Sequence, residues 1–326
     1  MRNSDVAPAP LVIPPPCCEV PRMRLAIIGD IHHYRLDMHW RHLLSKRVLG
    51  HANLYFNRRH RFNHALLEPL LTRVGAVKPD LVLLTGDVTT TSLEDEFHDI
   101  ATFLKPLSDR FRTLLVPGNH DRYTFRSLHS RRIETLLKHL LPESFPFFEH
   151  LTARWHLLAL DGARPQVMLS RGQLGRRQLQ QAGEQLAALG PGDGLIVACH
   201  YPFVVPPGTP PNTFDHALAD GRVLGKMLKD CPAKVVYVHG HIHRPWHWAP
   251  QNGRPRGMTF INAGAPCLMS DPYPLGQGFW QVEMPDDPAE PLGLVHHTPM
   301  WKGPKKRARP PIPVVGPDDW ETRVVL

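Results

Sequence analysis

Arg24–His32 reads RLAIIGDIH, a short apolar run that ends in glycine and aspartate and, two residues on, histidine. Its length and its boundaries predict a buried strand with metal-binding residue types at the carboxyl end. The same construction recurs along the chain. Leu81–Leu84 runs into Thr85-Gly86-Asp87, and Thr113–Val116 into Pro117-Gly118-Asn119-His120-Asp121. Leu195–Ala198 leads through Cys199 to His200-Tyr201-Pro202, and Lys234–Val238 to His239-Gly240-His241-Ile242-His243. One Asp or His at a strand end is more often a turn former or a cap. Five such ends in series ask for a common site, because open α/β sheets hold their sites at the carboxyl ends of their strands.

His156–Leu160 is a sixth predicted strand, and four stretches carry the 3.6-residue period of helices laid on a sheet: Arg61–Val77, Leu93–Leu107, Arg171–Leu189 and His216–Lys229. Ser92, with Asp95 three residues later, reads as a capping box opening the second of these helices. Strands alternating with helices predict an α/β layered fold. After Pro255 the pieces Met258–Asn262, Gly278–Glu283 and Gly293–His297 read as antiparallel strands on a second sheet or a sheet edge. The 326 residues suit one large domain. Prolines cluster near the ends, so residues 1–22 and 301–326 are expected to be flexible tails around a folded domain over 23–300, the second tail basic as well as proline-rich.

Composition narrows the partners. Thirty-eight Lys and Arg against 30 Asp and Glu leave a formal charge of +8, and the sequence pI is near 9.4, so an anionic partner is expected. The five cysteines form no C-x-x-C pair, which argues against a disulfide framework or a structural zinc cluster and favours a reducing cytoplasm. The first 21 residues are broken by six prolines and read as neither a signal peptide nor a span. No run approaches the ~18 uninterrupted apolar residues of a membrane helix, so the expected location is cytoplasmic, with peripheral contact at an inner membrane face left open.

Histidine is the excess residue, at 21 copies. On an extended strand residues i and i+2 share a side, so Asp30 with His32, and His241 with His243, could each grip an ion from one strand end. His239 lies on the same face as His241, and alternation does not separate them. Carboxylate, amide oxygen and imidazole together suit Mn, Fe or Zn better than Mg. Asp30, His32, Asp87, Asn119, His200, His241 and His243 are too many for one tetrahedral ion, and two ions bridged by Asp87 would use them all. Cys199 beside His200 does not make a nucleophile pair, because neighbours on a strand point to opposite faces. Gly190–Gly194 lacks the Lys-Ser/Thr of a P-loop.

As a set, Asp30/His32, Gly86-Asp87, Gly118–Asp121, His200 and Gly240–His243 resemble the calcineurin-like metallophosphoesterase superfamily, in the family's order over residues 23–265. The resemblance implies a four-layer α-β-β-α sandwich of two mixed β-sheets with a dinuclear centre at one edge. By match to the family's motifs, Asp30, His32, Asp87 and His243 would hold one ion, and Asp87, Asn119, His200 and His241 the other. His120 would face the substrate outside the metal shell, with Asp121 orienting it. The implied activity is hydrolysis of a phosphodiester or pyrophosphate bond by in-line attack of a metal-bridging hydroxide, with His120 a candidate acid for the leaving oxygen.

Substrate class is read from the segment after the first motif. Arg41–Phe62, RHLLSKRVLGHANLYFNRRHRF, is basic with apolar and aromatic residues between the charges. It reads as a solvated edge segment or as a cap offering cations and apolar surface to a phosphorylated small molecule or a lipid-linked substrate. Ser45-Lys46-Arg47 with Gly50, Asn119–Tyr123 and His200–Pro202 are loosely similar to the branch that contains a UDP-2,3-diacylglucosamine pyrophosphatase of the lipid A pathway. Cyclic nucleotide phosphodiesterase activity is an equal alternative. A nuclease ranks lower: Lys302, Lys305, Lys306, Arg307 and Arg309 form a patch that suits phosphates or an anionic membrane, without a nucleic-acid motif. A non-catalytic scaffold on the same fold is the competing class, expected to have lost ligands that this chain keeps.

Overall fold

In a computed structural model the described residues are 22–35, 62–165, 170–209, 216–250, 257–268, 277–300 and 319–325. Among them the chain order is β1 (Met23–Ile28), α1 (Leu67–Ala76), β2 (Leu81–Leu84), α2 (Glu94–Ser108), β3 (Thr113–Leu115), α3 (Phe125–His129), α4 (Arg132–Leu136), β4 (Phe147–His150), β5 (Trp155–Leu160), α5 (Arg176–Leu186), β6 (Gly194–Cys199), α6 (Gly221–Asp230), β7 (Lys234–His239), β8 (Trp246–Trp248), β9 (Met258–Asn262), β10 (Phe279–Met284), β11 (Gly293–Pro299) and β12 (Trp320–Val324). Each strand predicted before Pro255 is present to within a residue or two. The helices begin later than their periodicity suggests, because capping and turn residues precede them: Asn63 caps a short 3-10 turn ahead of α1, and Gly175, at φ 83°, precedes α5.

Two six-stranded sheets form, in the orders β12-β11-β10-β1-β2-β3 and β4-β5-β6-β7-β9-β8. The alternation within β1 shows how they stack. Leu25 and Ile27 enter the apolar layer between the sheets with Leu83, Ile196 and Val236. Ala26 and Ile28 face outward into a second layer roofed by α1 and α2 through Val74, Phe97 and Ile100. On the far face Leu158, Val197 and Tyr237 pack under α5 and α6, against Leu179, Ala182, Leu224 and Leu228. The result is an α-β-β-α sandwich. The central strands are buried on both faces, which is why they read as continuous apolar runs. Each fully buried Leu, Ile or Val contributes roughly 1.5–3 kcal/mol.

Three expectations need correction: the pairing of the strands after Pro255, the C-terminal tail and the Ser92 cap. Met258–Asn262 is not antiparallel to the strand it follows into the sheet: β9 runs parallel to β7, because the chain first passes out to β8 and returns. β10 and β11 are antiparallel but belong to the other sheet, beside β1. The tail expected over 301–326 ends in sheet structure, since β12 pairs with β11 and Trp320 is buried against Phe279. Ser92 does not cap α2. Glu96 turns back and accepts the amide protons of Thr91 and Leu93, at 2.9 and 3.1 Å, so the box is closed by Glu96 and the Ser92 hydroxyl is used elsewhere. Residues 1–21, 36–61 and 301–318 are outside the described residues, and with them all but Phe62 of the basic insert.

Burial raises the Glu96 carboxyl from its ordinary value near 4.5 to about 7, against the lowering effect of the Thr91 and Leu93 amides. The folded value lies above the unfolded one, so the stability tied to Glu96 is full below pH 4.5 and falls as the pH rises toward 7. Glu96→Gln keeps an acceptor oxygen and removes the titration. Wild-type melting temperature should therefore fall relative to E96Q between about pH 5 and about pH 7.5, and parallel profiles would refute the assignment.

Candidate metal centre

The carboxyl ends of β1, β2, β3, β6 and β7 meet at one edge of the sandwich, and the loops that leave them are stitched together by backbone bonds. His32 and His33 donate to the carbonyls of Asp87 and Val88, both at 2.9 Å, continuing the β1–β2 pairing past the strands. Bonds also cross between the sheets. Asp30 N–H donates to Gly264 O at 3.1 Å, His200 Nδ1–H to Thr85 O at 2.7 Å, and His241 N–H to the Asp30 carboxylate at 3.0 Å.

Four of the expected ligands sit in left-handed backbone: His32 at φ 51°, Asp87 at 51°, His241 at 70° and His243 at 59°. Such non-glycine conformations cost about 1–3 kcal/mol each and persist where their surroundings hold them. Strand alternation therefore does not govern the loop residues. Alternation alone would let His241 and His243 grip one ion together, but they fall into different groups. Donor atoms of Asp30, His32, Asp87 and His243 lie within 4.8 Å of one another, and those of Asp87, His200 and His241 form a second such group. Asn119 joins the second, its Oδ1 3.2 Å from His200 Nε2. His239 joins neither. It is buried against Trp246 with Nδ1 on Gly240 O, and burial lowers its imidazole to about 3.

The polar atoms fit cations better than each other. Thr85 O takes the Nδ1 proton of His200, which leaves Nε2 facing Asp87 Oδ2 (3.3 Å), Asn119 Oδ1 (3.2 Å) and His241 Nδ1 (3.2 Å), the nitrogen a cation would use once its proton is displaced. In the other group His32 Nε2 and His243 Nε2 face each other at 2.8 Å. Asp87 Oδ1 accepts the His120 amide proton at 2.7 Å, while Oδ2 is buried without a hydrogen bond between His200 Nε2 and His32 Nε2, which is 3.7 Å away. A buried carboxylate oxygen with imidazole nitrogens on either side is the donor arrangement of a shared ligand.

Titration agrees. Burial works against the ionised forms of both carboxylates, and raises Asp30 to about 7 with Asp87 adding to the rise. Around Asp87 the His200, His120 and His32 imidazoles outweigh burial and hold its carboxyl well below the usual range. Burial alone would lower His200, but Asp87 and Asp30 raise it to about 9. Without cations the cluster gathers protons to balance its charge. Cys199 is buried with its thiol pushed up to about 12 by burial, in keeping with its exclusion as a nucleophile.

The role expected for Asp121 needs correction. Its carboxylate does not reach the His120 ring. It accepts the amide protons of Asp87 and Gly118 at 2.9 Å and of Thr89 at 3.0 Å, and so clamps the loops after β2 and β3 to each other. The ring is oriented by the Thr90 carbonyl, which takes the Nδ1 proton at 2.6 Å, and it stacks on Tyr123 at 5.4 Å. The Ser92 hydroxyl bridges His120 O and Tyr123 N at 2.6 and 2.8 Å, and Thr90 Oγ1 donates to His32 O at 2.8 Å. These hydroxyl residues were missed as site components. The visible signal was the run Thr89-Thr90-Thr91-Ser92 directly after the Gly86-Asp87 motif. Phe62 was also missed: its ring meets His32 edge-on at 5.0 Å and lies 5.9 Å from His243.

With that geometry established, the chain belongs to the calcineurin-like phosphoesterase family, whose sequence profile matches residues 23–245. It is a phosphoester-hydrolysing enzyme. A probable cyclic nucleotide phosphodiesterase from Vesicomyosocius okutanii is 23% identical over 184 residues, which span 56% of this chain and 70% of that relative. Among solved structures, a dimetal phosphatase from Danio rerio matches with a TM-score of 0.57 at 13% identity, over 83% of this chain and 95% of its own. A purple acid phosphatase from yellow lupin matches with a TM-score of 0.57 at 13% identity, over 85% and 51%. At these identities the structural likeness speaks for the fold.

Glycines are needed where the loops touch. A Cβ on Gly118 would overlap Asp87 Oδ1 and the Asp87 backbone nitrogen. Gly118→Ala should therefore destabilise the fold by about 1–3 kcal/mol through forced displacement, read as a lowered melting temperature. An unchanged melt would mean that this approach is not tight in solution.

Proposed function

We propose that the chain is a dinuclear-metal phosphodiesterase, with Asp30, His32, Asp87 and His243 around one ion and Asp87, Asn119, His200 and His241 around the other. The observation that carries this is the buried Asp87 Oδ2, set between His32 and His200 where the two donor groups meet. Mn, Fe and Zn all suit the donor set. When bound, two such ions supply a nucleophile near neutral pH by lowering the pKa of a shared water, and they offset charge on the phosphoryl oxygens.

The remaining chemistry belongs to side chains of this chain. Because Thr90 O holds the Nδ1 proton of His120, Nε2 is the nitrogen that can meet a phosphoryl or leaving-group oxygen. The His120 amide meanwhile holds Asp87 Oδ1, which ties the carboxylate to the backbone that carries the ring. Asp121 supports both from behind, through the amides of Asp87 and Gly118. Two carboxylates, Asp30 and Asp87, against two divalent ions leave a positive site that favours an anionic phosphoester.

A cyclic nucleotide or another small phosphodiester is the substrate class we favour, supported by the name of the Vesicomyosocius relative. Of the segments behind the diacylglucosamine, membrane and nuclease alternatives, 41–61 and 302–309 fall outside the described residues, while Asn119–Tyr123 and His200–Pro202 lie at the site whichever phosphoester is cut. No helix among the described residues is long and apolar enough to cross a membrane. The complete donor set with His120 beside it speaks against a scaffold without activity.

Purified protein supplied with Mn, Fe or Zn should hold two equivalents of metal and hydrolyse an aryl phosphodiester and cyclic nucleotides. Turnover of monoesters alone would overturn the diester assignment. Asp87→Ala should lose both equivalents, and a variant that kept them would end the shared-ligand proposal. His120→Ala should retain the metal while kcat falls about 10²–10⁴-fold, measured by element analysis alongside steady-state kinetics.

A further inference from the structure

His216 has no part in the family motif, yet its Nδ1 lies 3.3 Å from His241 Nε2, with ring centroids 5.3 Å apart. The other nitrogen of His241, Nδ1, is the one that faces His200 Nε2 in the second donor group. A ligating imidazole must present a lone pair at one nitrogen, so its proton sits on the other and needs an acceptor. His200 finds that acceptor in Thr85 O, at the end of β2 on the other sheet. His241 is served by a side chain from a distant segment.

We propose that His216 is a positioning residue. Its Nδ1 accepts the Nε2 proton of His241 and so fixes the His241 tautomer and ring angle with Nδ1 directed at the second ion. The inference rests on the dinuclear function proposed above. The segment bearing His216 is built to hold it in place. Leu218 N–H donates to Pro202 O at 3.0 Å, and Ala219 N–H to Gly172 O at 2.8 Å. The Asp220 carboxylate takes the amide protons of Leu174 and Gly175 at 3.1 and 2.8 Å. Tyr201, fully buried, packs against His241 at 4.9 Å. The His241 ring therefore has Tyr201, His200 and His216 around it, and of these His216 is the one that meets Nε2.

The chemistry separates two conservative replacements. Asn places Oδ1 where His places Nδ1 and can accept the same proton, whereas the longer Gln carries its oxygen to the Nε2 position. The metal-loaded protein is challenged with increasing EDTA, and released and retained metal are counted. Outer-shell partners of ligating histidines typically alter metal affinity 10–100-fold. His216→Ala and His216→Gln should therefore give up one of two equivalents at about 10–100-fold lower EDTA than wild type, while His216→Asn follows wild type. In steady-state assays with excess metal, H216A should lower kcat with little change in KM.

Identical release profiles for wild type and H216A would overturn the inference, as would equal behaviour of H216N and H216Q. A rise in KM with both metals retained would also overturn it, by making His216 a substrate contact. If wild type itself holds no metal, the dinuclear function falls first and takes this inference with it. H216N and H216Q carry the comparison should H216A fail to fold.

Discussion

The Asp87 carboxylate is the point on which this edge of the molecule turns. One oxygen is committed to the His120 amide, while the other is buried between His32 and His200 with no proton donor of its own. Two carboxylates and several imidazoles share this buried space, their donor atoms converging within 4.8 Å of one another in each group. Burying such a set is costly unless positive charge enters. The protein's own response is visible in His200, driven up to about 9, and Asp30, raised to about 7. Bound metal ions would relieve the same imbalance by displacing those protons.

Holding that arrangement requires both sheets. Each delivers proposed ligands from its carboxyl ends, and the bonds from His241 to Asp30, His200 to Thr85 and Asp30 to Gly264 lock one set against the other. The three apolar layers make the strands rigid, so the loops beyond them can carry left-handed backbone at His32, Asp87, His241 and His243. Close approach is part of the design: a Cβ on Gly240 would sit 2.8 Å from Asp30 Oδ2. Behind the ligands, the hydroxyl run from Thr89 to Ser92 and the carboxylate of Asp121 fix the loop that presents His120.

Much of the architecture was legible in the chain. Apolar runs bounded by Gly, Pro and Asp marked the central strands because those strands are buried on both faces, which leaves no polar alternation to confuse them. The ligand types were legible for the same reason: each follows directly on a strand end. Less was legible where the outcome depends on partners remote in sequence. β12 needs β11 beside it and Phe279 beneath Trp320. The direction of β9 depends on the detour through β8. Ser92 looked like a cap, but Glu96 reached the free amides and released the Ser92 hydroxyl for the His120 loop.

By itself the sequence determined the α/β class, the strands that bear the site and the residue types at their ends, all of which are local properties of composition and period. Tertiary structure decided what strand period could not: where the backbone leaves the strands and which partners each side chain meets. His241 and His243, two apart in the chain, serve different donor groups because left-handed turns break the strand alternation between them. Asp121 turns to backbone amides and leaves the His120 ring to a threonine carbonyl. His216 arrives at His241 from a segment pinned to Pro202 and Gly172. Hydrogen-bond partners are chosen by proximity in space, and spacing along the chain carries no record of that choice once the backbone leaves a regular element.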